Sequence, residues 1–279
     1  MNEDLNDFIQ LMHQTFGRDI SIYEESFLMK SIEKRLVATG VKTVAAYGKS
    51  LVENDPEAEV LFHSLNITYS EFFRNPLTFA LLEQLILPTL IEQKEKIGQK
   101  EIRIWSAACA AGEEAYSLAI VLDELITARG EAVSFRIFAT DISETNLASA
   151  RRGVYCSTAV QKVPLRHIHL SFTRQGECYS VLPRLKERID FSSYDLLDEH
   201  SVCPPISIYG DFDLVLASNL LFYYKPEIRR ILVNKIKGSL AAGGYLVTGE
   251  AERAIVEIIG GFRVIVAPST VFQKTERRR

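Results

Sequence analysis

The sequence is short of most features that would assign a class at a glance. No apolar stretch approaches the roughly 20 residues of a membrane-spanning helix, so no membrane insertion is expected. Cysteine is scarce, 4 in 279 residues. Cys109, Cys156, Cys178 and Cys203 are widely spaced and form neither a CxxC pair nor a Cys/His cluster. No metal site is therefore expected, and a reduced, cytoplasmic setting is. Charge of one sign is not in excess: 32 Lys and Arg stand against 36 Asp and Glu, a net of −4, which supplies no global field for nucleic acid. The opening MNEDLNDFIQ is acidic where a secretory signal would be basic and then apolar, so nothing suggests export. Internal repeats and low-complexity tracts are missing, and the only charge run, the terminal ERRR, reads as a solvated tail. What is present is a globular composition, 47% hydrophobic and 10% aromatic. That suffices for one large α/β domain or for a small domain joined to a larger one.

The chain divides by texture. Residues 1–64 carry helical signals only: Leu28, Ile32 and Leu36 form an i, i+4, i+8 stripe, Gly40 supplies a stop, and Asp55–Pro56 marks a break. From Glu101 the pattern alternates. EIRIWS reads as a strand, AACAAG as a tight loop and EEAYSLAIVLDELITA as a helix; SFRIFATD is a second strand, followed by a helix from Ser143 to about Arg152. FDLVLAS is a buried-type strand, a helix runs from Pro226 to about Lys237, and Gly243–Gly244 introduces the strand YLVTGE. Strands alternating with helices imply a parallel, doubly wound sheet. The last stretch, FRVIVAPSTVFQK, reads as two strands that add an antiparallel edge, and a hairpin around Gln175–Gly176 interrupts the alternation.

The strongest chemical signal is the order strand, small-residue loop, helix, strand, acid. Ala107, Ala108, Ala110, Ala111 and Gly112 permit close approach of a ligand to the backbone, and the helix that follows presents unpaired N–H groups. Asp141 ends the second strand, where an acid can accept hydrogen bonds from ribose hydroxyls. A pyrophosphate loop would want G-x-G-x-x-G, of which only the last glycine is present. Glu113 and Glu114 would repel a diphosphate and suit a ligand with a positive centre, such as S-adenosylmethionine; alternatively they merely complement the helix terminus. Upstream, Arg74 in ITYSEFFRNPLTF is able to clamp a carboxylate. The bland alternative is a salt bridge to Glu71 or another surface acid.

The segments ITYSEFFRNPLTF, IWSAACAAGEEAYSLA, ATDISETNLASARRGVY, FSSYDLLD, FDLVLASNLLFYY and GGYLVTGEAE resemble, in order and spacing, the CheR-type chemotaxis receptor glutamate methyltransferases. The resemblance covers nearly the whole chain. It implies an α/β fold, a class I methyltransferase doubly wound sheet with a small all-α N-terminal domain (1–64) and a short antiparallel β insertion (about 165–186) in the larger domain (65–279). It also implies methyl transfer from S-adenosylmethionine, leaving S-adenosylhomocysteine, to side-chain glutamates in the cytoplasmic region of a chemoreceptor or related signalling protein by a monomeric enzyme. Carried across by motif, Thr68, Ser70 and Arg74 lie near the methionine moiety and Glu114 takes its amino end. Asp141 holds the ribose, with Ala107 and Ile142 completing that side. Asp195 and Leu196 flank the adenine, Ser218 and Asn219 close the pocket, and Tyr223 sits by the transferring methyl. Cys109 is expected to be a small packing residue rather than a nucleophile.

Three departures from the family pattern stand out. Ser218 replaces an arginine, Thr68 stands where an asparagine is common, and the helix expected to face an acidic receptor offers only Lys30, Lys34 and Arg35. The insertion also lacks a glycine-rich turn, so tethering to a receptor tail peptide is not expected. The alternatives are a module that binds S-adenosylmethionine or S-adenosylhomocysteine with weak or no methylation, or a methyltransferase retargeted to another substrate. A nicotinamide dehydrogenase is disfavoured by Ala107–Ala111. Residues 1–64 hold 6 basic and 11 acidic residues, net −5, leaving +1 for the remainder. The negative total thus comes from the segment expected to meet an acidic partner.

Overall fold

The computed structural model describes residues 3–65, 69–130 and 132–275. Backbone contacts divide the chain into two units, Met1–Ile67 with Leu220–Arg230, and Thr68–Asn219 with Ile231–Arg279. The return of 220–230 to the first unit is not marked by any change of texture in the sequence.

The first unit is built on α1 (Glu3–Phe16), α2 (Glu25–Thr39), α3 (Val44–Glu53) and α4 (Asp55–Leu65). Leu5, Phe8 and Met12 of α1 and Leu28 and Ile32 of α2 are buried at helical spacing, with Leu36 packed at the margin. Gly40 ends α2 at φ 73°, a left-handed cap that glycine adopts without a Cβ penalty. The Thr43 hydroxyl accepts from the Ala46 N–H (3.2 Å) to start α3. Tyr47, Leu51 and Leu61 complete a core with no exposed surface. Burying each such side chain contributes about 1.5–3 kcal/mol. The return segment is tied in by the backbone: Glu24 N–H donates to Tyr223 O and Lys225 N–H to Ile22 O, both at 2.9 Å.

In the second unit α5 (Pro76–Leu81), a π turn (Leu82–Ile86) and α6 (Leu87–Ile97) precede the sheet. The chain continues through β1 (Glu101–Ala107), α7 (Glu113–Ala128), β2 (Ser134–Asp141), α8 (Glu144–Arg152), β3 (Val154–Cys156), α9 (Leu165–Ser171), β4 (Phe172–Gln175), β5 (Cys178–Val181), α10 (Pro183–Lys186) and β6 (Ile189–Ser193). It ends with β7 (Phe212–Ala217), α11 (Pro226–Ser239, whose first residues belong to the first unit), β8 (Leu240–Thr248), α12 (Arg253–Ile259), β9 (Phe262–Val264) and β10 (Val271–Lys274). The main sheet has the order β6-β2-β1-β7-β8-β10-β9. Its first five strands are parallel, and β10 runs antiparallel to both neighbours. All six residues of β7 are buried, as expected of a strand covered on both faces.

Four details differ from the sequence reading. The small sheet has three strands, β3-β5-β4, so the insertion begins near Val154 rather than 165, and it holds α9 ahead of the expected hairpin. There His167 and Ser171, four residues apart, point inward. β8 starts at Leu240, and Gly243–Gly244 lie inside it rather than before it. The register jumps from Phe212↔Leu240 to Leu214↔Tyr245, and Gly243 at φ 70° absorbs the extra residues. The helices over 76–97 and strand β6 escaped the periodicity reading.

Candidate active site

Strands β6, β2, β1 and β7 are neighbours and point the same way, so the segments after them share one end of the sheet. Ala107 ends β1 opposite Thr140 and Asp141 ends β2 opposite Ser193. Ser218 and Asn219 follow β7, and Asp195 and Leu196 follow β6. The carboxyl end of a doubly wound sheet is where such folds take their ligands. The loop after β1 is tightly wound: Ala108 and Ala110 have φ of 54° and 47°, and Gly112 has 92°. Alanine is tolerated there at a cost of about 1–2 kcal/mol, whereas Gly112 is required. A Cβ on it would stand 2.9 Å from Ala150 Cβ and 3.3 Å from the Phe191 ring.

Asp141 holds this loop. Its Oδ2 accepts from the Ala110 N–H (2.8 Å), and its Oδ1 accepts from the Ser143 N–H (2.9 Å) and Asn146 Nδ2 (3.4 Å). Burial nonetheless raises its pKa, against the pull of those donors. Trp105 Nε1 donates to Thr140 Oγ1 at 2.9 Å, bracing the adjacent strand end. Cys109 is buried, and burial first, then Asp141, raises its thiol well above the ordinary value. It packs and does not present a thiolate.

Glu113 and Glu114 open α7 and are both about nine-tenths buried. Burial pushes Glu114 up to about 8; Arg74 draws it down, Glu252 and Glu113 push it up, and the Ser218 hydroxyl beside it lowers it. Burial likewise raises Glu113, which the nearby Ser70 hydroxyl only partly relieves. Neither Glu113 Oε2 nor Ser70 Oγ has a hydrogen-bond partner among the described residues. A helix start with two buried acids, one of them with an unpartnered oxygen, departs from ordinary burial, where charge is paired or hydrogen-bonded.

Arg74 is set by the residue before it. Phe73 adopts φ 50°. Its N–H donates to Ser117 Oγ (3.0 Å), which in turn donates to Glu113 O (2.7 Å), and its ring stacks on His167 at 5.3 Å. The Arg74 guanidinium lies over the Tyr69 ring at 5.2 Å and donates to Tyr69 O at 3.3 Å. The expected alternative partner, Glu71, is taken by Lys162 and the Tyr69 hydroxyl. Among the described residues Arg74 makes no ion pair within 4 Å.

Arg74, Glu114, Ser218, Asn219 and Thr248 line one cavity of about 330 Å³, with Asn75 and Glu250 on its rim. Asn75 Nδ2 donates to Glu250 Oε1 (3.0 Å), and Asn75 Oδ1 caps α5 by accepting from the Thr78 N–H (3.1 Å). Glu252, fully buried, accepts through Oε2 from the N–H groups of both Asn219 and Gly249, each at 2.8 Å. Asn219 has φ 58°. A Cβ on Gly249 would meet its side chain at 2.8 Å.

The remaining expected residues are dispersed. Ser70 faces a separate cavity of about 300 Å³ with Glu113, Tyr69, Thr158 and Lys162. Ile142 is 54% exposed and Ala107 buried. Leu196 is buried, while Asp195 is exposed and uses Oδ1 to accept from the Leu197 N–H (2.8 Å). Tyr223 belongs to the first unit, where its ring packs edge-on to Phe27 at 4.7 Å. Thr68 lies outside the described residues. On α2, Arg35 is bound bidentately to Glu57 at 2.8 and 2.7 Å, and Tyr47 donates to the same acid at 2.7 Å. Of the three basic residues of that helix, only Lys30 and Lys34 remain on its exposed face.

Residues 66–269 match the CheR methyltransferase, SAM binding domain, and residues 3–65 the CheR methyltransferase, all-alpha domain. The chain belongs to the CheR methyltransferase family. It is 28% identical over 255 residues to a chemotaxis protein methyltransferase of Listeria monocytogenes, covering 91% of this chain and 92% of the relative. It is 28% identical over 256 residues to chemotaxis protein methyltransferase 1 of Pseudomonas aeruginosa, covering 90% of each. An uncharacterised 104.1 kDa protein of Rhodobacter capsulatus is 30% identical over 251 residues; the match covers 90% of this chain but 25% of that one. The CheR fold is the class I methyltransferase sheet with a helical N-terminal domain, and its larger domain binds S-adenosylmethionine. Among the described residues no helix is long and apolar enough to cross a membrane.

The cavity residues that motif reading missed are Asn75, Thr248 and Glu250, together with Glu252, which holds the backbone of the cavity's Asn219 and Gly249. Asn75 was visible as an Asn-Pro pair at a helix start. Glu250 and Glu252 stand in GEAE, a segment that bears the family resemblance, but no local rule says which acid turns inward.

Proposed function

We propose that this protein transfers the methyl group of S-adenosylmethionine to side-chain carboxylates of glutamates in the cytoplasmic part of a chemoreceptor or related signalling protein, acting as a cytoplasmic monomer. The observation that carries this reading is the cavity in which the Arg74 guanidinium, without an ion-pair partner among the described residues, meets the buried Glu114 carboxyl. The residues fit a cationic, phosphate-free cofactor: the buried acids at the start of α7 favour a positive group and repel a diphosphate. When bound, the cofactor supplies an activated methyl group on a sulfonium.

Glu114 would receive the amino end, helped by Ser218. Asp141 would accept from the ribose, with Ala107 and Ile142 beside it, and Asp195 and Leu196 would flank the adenine. Thr68 and Ser70 would lie near the methionine moiety, Asn219 would close the wall and Tyr223 would stand by the methyl. Arg74 would hold the acceptor carboxylate in line by paired N–H donors. No general base is needed, because a glutamate with an ordinary pKa of about 4.3 is already ionised at neutral pH. The protein's contribution is alignment and exclusion of water around the acceptor.

The test is transfer of labelled methyl to receptor cytoplasmic fragments, followed by base treatment. Base-released methanol from glutamyl esters is the expected result. Cofactor binding without any ester formation on such fragments would overturn the substrate assignment, and absence of cofactor binding would overturn the whole reading.

A further inference from the structure

Two of the four cysteines, 22 positions apart in sequence, are neighbours across strands. β3 and β5 run antiparallel with Tyr155 opposite Tyr179 and Cys156 opposite Cys178. The hydrogen bonds on either side decide what kind of pair this is. Val181 N–H donates to Gly153 O and Ser157 N–H to Glu177 O, both at 2.9 Å. Hydrogen-bonded and non-hydrogen-bonded pairs alternate along an antiparallel ladder. With 153/181 and 157/177 hydrogen-bonded, 155/179 falls in the same class and 156/178 is a non-hydrogen-bonded pair. At such positions the Cα atoms lie about 4.5 Å apart and the side chains leave the same face at their closest spacing. A disulfide accepts Cα separations of about 4.4–6.8 Å, so the backbone meets that requirement without moving.

The chemistry is equally favourable. Both thiols are free and exposed. Cys156 Sγ lies 2.9 Å from Thr158 Oγ1, and that contact, with the Ala159 N–H, lowers its pKa, raising the thiolate fraction on which oxidation depends. Cys109 is buried and Cys203 is half-buried, leaving one pair poised.

We propose that Cys156 and Cys178 form a reversible dithiol–disulfide pair, oxidised by a hydroperoxide. The Cys156 thiolate attacks one peroxide oxygen, the O–O bond breaks, and for hydrogen peroxide the departing hydroxide takes a proton to become water. The resulting sulfenic acid is attacked at sulfur by the Cys178 thiol, the S–S bond forms, and the second oxygen leaves as water. Two thiols lose two electrons in all, and one peroxide becomes two waters. The pair sits on the opposite side of its strand from Tyr155, since successive side chains alternate. Tyr155 donates to Ala111 O at 2.7 Å in the loop after β1.

The test uses the full chain, reduced and freed of reductant, then treated with a small excess of hydrogen peroxide and alkylated under denaturing conditions. The expected result is a fall from 4 titratable thiols to two, a monomer about 2 Da lighter, and a tryptic species joining residues 153–162 to 175–184, all reversed by a dithiol reductant. Cys156→Ser and Cys178→Ser should each abolish the joined species. Retention of all thiols, a linkage through Cys109 or Cys203, or over-oxidation of Cys156 without a cross-link would overturn the proposal.

Discussion

Each unit of the chain holds a buried or half-buried carboxylate cluster, and the two are in opposite electrostatic states. In the helical unit, Glu57 receives two donors from Arg35 and one from Tyr47. These partners, Arg35 foremost, hold its pKa below the usual value. In the sheet unit, one Glu113 oxygen has no partner among the described residues, and burial drives both Glu113 and Glu114 upward, Glu114 to about 8. The first arrangement is complete in the free protein and stabilises it. The second opposes folding at neutral and alkaline pH, and on the proposed function a positive group of the cofactor would relieve it. An acid with its partners in place is architecture, and an acid buried without them marks a site.

Arg74→Ala should break the contrast most severely. It removes the guanidinium that draws the Glu114 pKa down, and methyl transfer should fall by about 100-fold or more, the scale seen when a fixed donor at a reacting centre is lost. Circular dichroism should remain unchanged; normal transfer by this variant would refute the role assigned to Arg74.

Next comes Glu114→Gln. Loss of a charge-assisted contact worth roughly 1.5–3 kcal/mol should weaken S-adenosylmethionine binding by about 10–100-fold in calorimetry. The wild type should release a proton on binding near pH 7, because a cationic group favours the ionised carboxyl, and its affinity should climb between pH 6 and 7.5. The variant should show neither. Because the folded pKa of Glu114 lies above the unfolded one, its contribution to stability is present at low pH and lost as pH rises through about 8. The variant should therefore melt several degrees above wild type at pH 9 and much closer to it at pH 6.

Glu57→Gln is expected to do the reverse. It should cost about 1–3 kcal/mol of stability in denaturant titration, with cofactor affinity unchanged. Its folded pKa is lowered, so the stability it supplies is present above the unfolded value near 4.5 and disappears as pH falls through the folded one. An altered cofactor affinity here would show the helical cluster to be part of the site. The smallest effect belongs to Ser218→Ala. Losing one neutral hydrogen bond, about 0.5–1 kcal/mol, should weaken binding only a few-fold and move the pH dependence slightly upward.

The elements legible in the sequence were those with a strong local period or a clear stop. α2 with its Gly40 cap, β1, α7, β2 and β7 appear where alternation, helical spacing and apolar runs put them. Asp141 and the alanine loop were legible because strand, loop, helix, strand, acid is a chain-order signal. Illegible features depended on what lies across space. β3 is three residues long, and no period can be read from three. The Arg35–Glu57 pair joins positions 22 apart, so Arg35 reads as a free basic residue until Glu57 is seen to hold it. The Cys156–Cys178 pairing needs a strand register that sequence spacing does not contain.

The grip of Glu252 on the main-chain N–H groups of Asn219 and Gly249 makes the wall of the cavity a socket with an exchangeable insert. Through Oε2 the carboxylate grips main-chain N–H groups, and Asn219 stands against a glycine, so this clamp on the loop uses no side-chain atom of residue 218. A change of side chain there leaves this clamp intact. It alters only what the pocket offers its contents. Position 218 is thus the natural dial for retuning this enzyme, since it can be turned without rebuilding the loop around it.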